Sequence, residues 1–261
     1  MLWPRFTFRP RAHVNLNDGF AGNNTVEGNL LFASVMETYD HGPINTWNRM
    51  PYWTLNGVDD GFDTWPNVTK PEPGASIVKH FDHIHNNLIF TDFGATRALD
   101  HDDGSQKFID ANNVLVGSGV KNFLGNTKRF LGNLIVNAGG HGIDCFESDG
   151  GANIGNSNHT FINNTCIYAG LAPYLVHNTT AVPGSTSFRE AVVNSSFKTA
   201  ANRYYAPTGR YALAIAGRNL TLREVQQMTG EEAGSTDHPP MRTAEVVAAA
   251  RVLLQMQAHS P

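Results

Sequence analysis

Ionisable side chains collect in four short segments of this 261-residue chain. The first is Glu37-Thr38-Tyr39-Asp40-His41-Gly42-Pro43, and the second is Asp100-His101-Asp102-Asp103-Gly104-Ser105. Lys121-Asn122 is the third, and His141-Gly142-Ile143-Asp144-Cys145-Phe146-Glu147 the fourth. Two carboxyl groups facing one bond can divide acid and base work, one giving a proton while the other attacks or activates water. Asp40, Asp102, Asp103 and Asp144 are therefore the candidate catalytic groups, with His41, His101, Lys121, His141 and Glu147 beside them as candidate binding groups. Any one Asp is equally a turn residue. A whole set on one face is different, because massed like charge is costly unless a ligand or a reaction uses it.

Aromatic rings gather close to the first segment, as Trp47, Tyr52, Trp53 and Trp65. A flat apolar face with a polar edge suits stacking on a sugar, and it also suits a loop folded around its own rings. Arg49 offers a fork of donors for hydroxyls or a carboxylate. Trp47, Arg49 and Trp53 join the candidate binding groups. His83 and His85 would share a strand face, but they lack a recognisable zinc spacing. No cofactor is expected, the one alternative being Ca²⁺ on the hard oxygens of Asp100, Asp102 and Asp103.

These segments are separated by a recurring phrase, Asn or Gly-Asn followed by two or three apolar residues. It occurs as Gly28-Asn29-Leu30-Leu31-Phe32, Asn86-Asn87-Leu88-Ile89-Phe90, Asn112-Asn113-Val114-Leu115-Val116, Gly132-Asn133-Leu134-Ile135-Val136 and, more loosely, Asn163-Asn164-Thr165-Cys166-Ile167. Asn tolerates left-handed backbone and marks a sharp turn. The apolar residues suit a buried pleated surface. The steps from Asn87 to Asn113 and from Asn113 to Asn133 are 26 and 20 residues, lengths for one coil of a parallel β-solenoid. The 58 residues from Asn29 to Asn87 hold either a long insertion or a second coil with a degenerate phrase. Asn stacked on Asn would share side-chain hydrogen bonds.

The expected fold is all-β: a right-handed parallel β-helix over 1–215, with a long loop insertion over 51–78 and a C-terminal helical segment over 216–261. A doubly wound α/β fold needs amphipathic helices between strands, and 13–215 shows almost none. A β-sandwich would show hairpin dipeptides, and the repeat is short for a propeller blade. Thr221-Leu222-Arg223-Glu224 reads as a capping box opening a short helix. Thr243–Gln257 reads as a second helix, able to cover the end of the solenoid or to trail as a tail. Carboxylates on adjacent coils would sit about 5 Å apart, and two coils apart roughly 9.6 Å. Retaining glycosidases need about 5–5.5 Å and inverting ones about 6.5–9.5 Å. With no hidden coil, Asp40 with Asp103 suits the first and Asp103 with Asp144 approaches the second.

The formal net charge of −4 offers nothing to a nucleic acid, and no stretch is apolar enough to cross a membrane. The N-terminus lacks the apolar segment of a signal peptide. N-x-S/T sequons at Asn23, Asn67, Asn158, Asn163, Asn178, Asn194 and Asn219 point to a secreted protein whose first coils precede this sequence, and a monomer is expected. Cys145 and Cys166, 21 positions apart, could pair across adjacent coils or remain buried thiols.

Asp40-His41-Gly42-Pro43-Ile44-Asn45-Thr46-Trp47, followed by Arg49, Tyr52 and Trp53, and then Asp100-His101-Asp102-Asp103-Gly104-Ser105, resembles the right-handed β-helix carbohydrate-active proteins. Glycoside hydrolase family 141, with fucosidase and xylanase activities, is the nearest likeness, and it spans roughly residues 12–170. The resemblance implies a pectin-lyase-like parallel β-helix and a site of paired aspartates, led by Asp102 or Asp103 with Asp144. The expected activity is extracellular hydrolysis of a polysaccharide or oligosaccharide. The alternatives are a Ca²⁺-dependent polysaccharide lyase with Lys121 as base, and a non-catalytic carbohydrate-binding solenoid.

Overall fold

The computed structural model describes residues 5–17, 22–48, 78–91, 93, 95–102, 104–123, 125, 127–136, 145–149, 158–168, 176–178, 197–207, 209, 212–215 and 218–256. Arg49, Tyr52, Trp53, Trp65, Asp103, His141 and Asp144 lie outside the described residues, as do Asn67, Asn194 and nearly all of the 51–78 insertion.

The strands come in threes. The first group is β1 (Arg5–Phe6), β2 (Val14–Asn17) and β3 (Thr25–Glu27); the second is β4 (Leu30–Leu31), β5 (Ile44–Trp47) and β6 (Asp82–His85). Next come β7 (Leu88–Phe90), β8 (Leu99–His101) and β9 (Phe108–Ala111), then β10 (Val114–Val116), β11 (Val120–Phe123) and β12 (Arg129–Leu131). β13 (Leu134–Val136), β14 (Phe146–Asp149) and β15 (His159–Ile162) precede β16 (Thr165–Ile167), β17 (Val176–Asn178) and β18 (Phe197–Ala200). The chain closes with β19 (Arg203–Tyr205), β20 (Leu213–Ile215), β21 (Arg218–Leu220), α1 (Leu222–Thr229), β22 (Thr236–His238) and α2 (Thr243–Leu253).

Among the described residues the chain is thus mostly β, with three parallel sheets and two helices. Sheet 1 runs β1-β4-β7-β10-β13-β16-β19-β22; sheet 2 runs β2-β5-β8-β11-β14-β17-β20-β21; sheet 3 runs β3-β6-β9-β12-β15-β18. Apart from β21, every third strand joins the same sheet, and among the described residues only β20 and β21 pair antiparallel. Leu30 stands directly opposite Leu88, so the insertion between Asn29 and Asn87 belongs to a single three-strand repeat.

The Asn phrase explains this regularity. Its first position, at Gly28, Asn86, Asn112, Gly132, Asn163 and Ala201, has φ between +53° and +64°, where Asn and Gly are at ease. Its second position, at Asn29, Asn87, Asn113, Asn133, Asn164 and Asn202, is buried. In each step the backbone N–H and Nδ2 of one Asn both donate to Oδ1 of the next. Asn87 gives 3.1 and 3.0 Å to Asn113, Asn113 gives 3.0 and 3.1 Å to Asn133, and Asn133 gives 2.9 and 3.0 Å to Asn164. The second Nδ2 hydrogen serves a backbone carbonyl, as Asn113 to Ile84 at 2.8 Å. The ladder ends where the Asn202 backbone donates to Ser235 Oγ at 2.8 Å and its Nδ2 to buried Glu232 at 3.1 Å.

One face of each sheet enters a common core: Leu31, Ile89, Leu115 and Ile135 from sheet 1, Ile44, Leu99, Val120 and Phe146 from sheet 2, Ile84, Phe108, Phe130 and Phe161 from sheet 3. Burying each such side chain is worth about 1.5–3 kcal/mol. The apolar runs of sheet 1 do not alternate because both faces are covered. Val114, Leu134, Val136 and Ile167 point the other way, onto a second cluster with Val246, Ala249, Ala250 and Leu253 on and beside α2. It is α1, through Leu222 and Val225, that adds buried side chains to the main core. Thr221 and Glu224 form the expected capping box, and Gly230 at φ +77° ends the helix. Cys145 and Cys166 are joined by a disulfide, with Cα atoms 5.9 Å apart. No helix among the described residues is long and apolar enough to cross a membrane.

Candidate functional site

The outer face of sheet 2 carries a polar column. Pleating alternates faces, so with Ile44, Leu99, Val120 and Phe146 in the core, the residues after them face away. Register aligns these as Asn15, Asn45, Asp100, Lys121 and Glu147 on successive strands. Strand spacing puts neighbours about 4.8 Å apart.

Lys121 is the hub. Its Nζ lies 2.9 Å from Asp102 Oδ1, a hydrogen bond, and 3.4 Å from Asp100 Oδ1. It also sits 5.2 Å from the centre of the Phe123 ring. Burial alone would depress this ammonium, but Asp100 and then Asp102 overrule it and hold its pKa well above the ordinary lysine value. The Asp100 side chain is 0% exposed, against 17% for Lys121 and 18% for Asp102. Burial pushes the Asp100 carboxyl up to about 7, with Lys121 opposing and Asp102 reinforcing the shift.

The Asp40–Pro43 segment makes that burial. A Cβ on Gly42 would come within 2.3 Å of the Arg97 carbonyl and 3.2 Å of Asp100 Cβ, so only glycine lets the segment lie this close. The backbone of Thr96 donates to the His41 carbonyl at 3.1 Å, pinning it there. Arg11 Nη2 bonds His41 Nε2, and since a guanidinium only donates, that nitrogen accepts. Burial first, and then Arg11, hold His41 below the ordinary histidine value. Asp40, exposed and at φ +74°, acts electrostatically on His41, Asp100 and Lys121. Arg97 pairs with Glu147 on the far side of Lys121. Asp102 is set by its turn: its N–H donates to the Thr46 carbonyl at 2.7 Å, and its carbonyl accepts from Ser105 at 3.0 Å.

The structure therefore brings together Asp40, His41, Asp102, Lys121 and Glu147, with Trp47 two residues along β5 from Asn45. It separates His101 from them. That ring is buried against Phe108 at 4.7 Å, with Nδ1 2.8 Å from Thr46 Oγ1 and Nε2 2.6 Å from Asp110 Oδ2, so it props the wall from inside. Below it, Lys128 is fully buried, donates to the Phe123 carbonyl at 3.3 Å, and is pushed by burial down to about 7. Arg11, Asn45 and Arg97 belong to the site and are absent from the sequence-derived set, in which Asp100 figures only as a candidate calcium ligand. Alternation from Leu99 was the available signal for Asp100. Among the described residues no group of three or more His, Cys, Asp or Glu side chains is arranged to hold a metal ion.

A solvent-facing carboxyl pair beside a fixed ammonium can give a proton, support an attack and stabilise developing negative charge. Comparison with known proteins returns no match: no family model, no curated protein and no solved structure matches this chain.

Proposed function

We propose that the three sheets are the walls of a right-handed parallel β-helix, and that the protein is an extracellular glycoside hydrolase. The glycan lies across the outer face of sheet 2. Asp102, to which Lys121 donates, takes the role of nucleophile or base, as suits a charge-assisted hydrogen bond. Asp40 is the proton donor to the leaving oxygen. Lys121 steadies Asp102 and offers its remaining hydrogens to sugar hydroxyls, while Asp100, out of reach of a ligand, positions Lys121.

The observation that carries this reading is the reachable Asp102 carboxyl bound at 2.9 Å to an ammonium that two aspartates keep charged. The same fact counts against a lyase with Lys121 as base, since a lysine base needs a lowered pKa. The likeness of the Asp40–Trp47 and Asp100–Ser105 phrases to family 141 glycosidases points the same way. A disulfide suits an oxidising compartment, as do exposed sequon asparagines at Asn23, Asn158, Asn163 and Asn219. The test is a panel of plant and microbial polysaccharides incubated with wild type and Asp102→Asn. Reducing ends should appear with wild type alone. Unsaturated products would support the lyase, and binding without turnover in both proteins would support a carbohydrate-binding solenoid.

A further inference from the structure

Beside this site, a recess of about 200 Å³ opens at the junction of sheets 2 and 3. Its volume equals the liquid share of roughly six or seven waters, the room of one monosaccharide ring. It is lined by the apolar Leu16, Val78 and Phe108, by Trp47, and by the amides of Asn15, Asn17 and Asn48. Ser105 and Gln106 also line it. Both are at least 98% buried, and among the described residues Ser105 Oγ and Gln106 Oε1 have no hydrogen-bond partner. Two adjacent unpaired polar atoms are costly to bury, and here both residues line a space that a ligand can enter. A hydroxyl, which donates and accepts, satisfies both.

The charge of the occupant follows from the lining. Among the described residues of the lining its single ionisable group is Asp82, whose Oδ1 already receives the Asn24 N–H at 2.7 Å and Asn24 Nδ2 at 2.8 Å. A carboxylate in the wall disfavours an anionic sugar, and amides suit neutral hydroxyls. The recess adjoins the reacting groups through Asn15, which lines it and whose Oδ1 accepts from Asn45 Nδ2 at 2.9 Å. Trp47 and Asn45 share a face of β5, two residues or about 7 Å apart.

We propose that this recess is a subsite for one uncharged sugar unit of the glycan, stacked on Trp47 and hydrogen-bonded by Ser105 and Gln106. The proposal rests on the hydrolase reading above for its place next to the scissile bond. Its test does not depend on turnover. The full chain is labelled with ¹⁵N at its tryptophan indoles, and the Trp47 N–H signal is assigned by its loss in Trp47→Phe. Methyl glycosides of glucose, galactose, xylose and fucose are then titrated to about 50 mM, with methyl glucuronide as the charged control.

At least one neutral glycoside should shift the Trp47 signal with millimolar affinity, about −4 kcal/mol. Ser105→Ala, which removes one oxygen and keeps the recess, should weaken it about tenfold. The proposal is overturned if no neutral glycoside moves Trp47, which would make the recess a water site. It is equally overturned if the glucuronide binds as well, or if Ser105→Ala binds like wild type. Turnover of a polysaccharide without a Trp47 shift defeats the subsite and leaves the hydrolase reading standing. A Trp47 shift with no turnover of any glycan does the reverse.

Discussion

Asn112 and Asn113 are neighbours of the same type, yet the structure gives them opposite weights. Asn113 is buried: its Oδ1 accepts both the backbone N–H and Nδ2 of Asn87, and its Nδ2 donates to Ile84 and to Asn133. In Asn113→Ala the Asn87 backbone N–H and one Asn87 Nδ2 hydrogen lose their acceptor with no water to replace it. Asn133 Oδ1 keeps the bond from the backbone of residue 113. Two orphaned donors at about 1–3 kcal/mol each give about 2–6 kcal/mol, a large part of the ~5–15 kcal/mol that holds a domain folded. At about 2–4 °C per kcal/mol for a chain of this size, the melting temperature should fall by roughly 8–16 °C at the middle of that range. Asn112 is exposed at φ +55°, a conformation glycine adopts freely, so Asn112→Gly should change stability by no more than about 0.5 kcal/mol. Equilibrium urea unfolding of both variants by circular dichroism decides the matter. Equal effects, or a loss under about 1 kcal/mol for Asn113→Ala, would refute the ladder as a determinant of stability.

Other consequences concern charge and covalent linkage. The folded chain holds the Asp100 proton to about 7 while the unfolded chain releases it near 3.8, so stability falls as pH rises through that window. Asp100→Asn should remove up to about 4 kcal/mol of this slope, read as melting temperature against pH; an unaltered slope would disprove the burial argument. Lys128 runs the other way. Its folded value near 7 lies below the ordinary 10.5, so stability rises with pH between them, and Lys128→Met should flatten that limb and raise the melting temperature at pH 7. A Cys145→Ala/Cys166→Ala double variant loses a cross-link closing 21 residues. It should be less stable by about 3 kcal/mol, and unchanged denaturant midpoints would show that the bond constrains little.

Much of the architecture was legible because the Asn phrase does two separable jobs at consecutive positions, a left-handed turn and a buried amide bridge. Asn202 escaped notice because Ala201 holds the left-handed position in place of Asn or Gly, and Arg203 follows in place of an apolar residue. The choice between insertion and hidden coil after Asn29 was decided by the pairing of β4 with β7. The site was harder. Connections from sheet 1 to sheet 2 differ in length: Asp100 follows Asn87 by 13 residues and Lys121 follows Asn113 by 8, yet they stand in register. Equal offsets from each Asn therefore do not mark the column, whereas alternation from Leu99 and Val120 does. The same alternation turns His101 inward between two outward or turn-borne aspartates, which proximity in the sequence concealed.

The central claim is that Asp102 handles the reacting bond. The most direct test is turnover of a responsive glycan by Asp102→Ala with and without added azide, a small external nucleophile. The account predicts a loss of about 10²–10⁴-fold, with azide restoring part of the rate and appearing in a glycosyl azide product. An Asp102→Ala protein that keeps more than a tenth of wild-type turnover would contradict it.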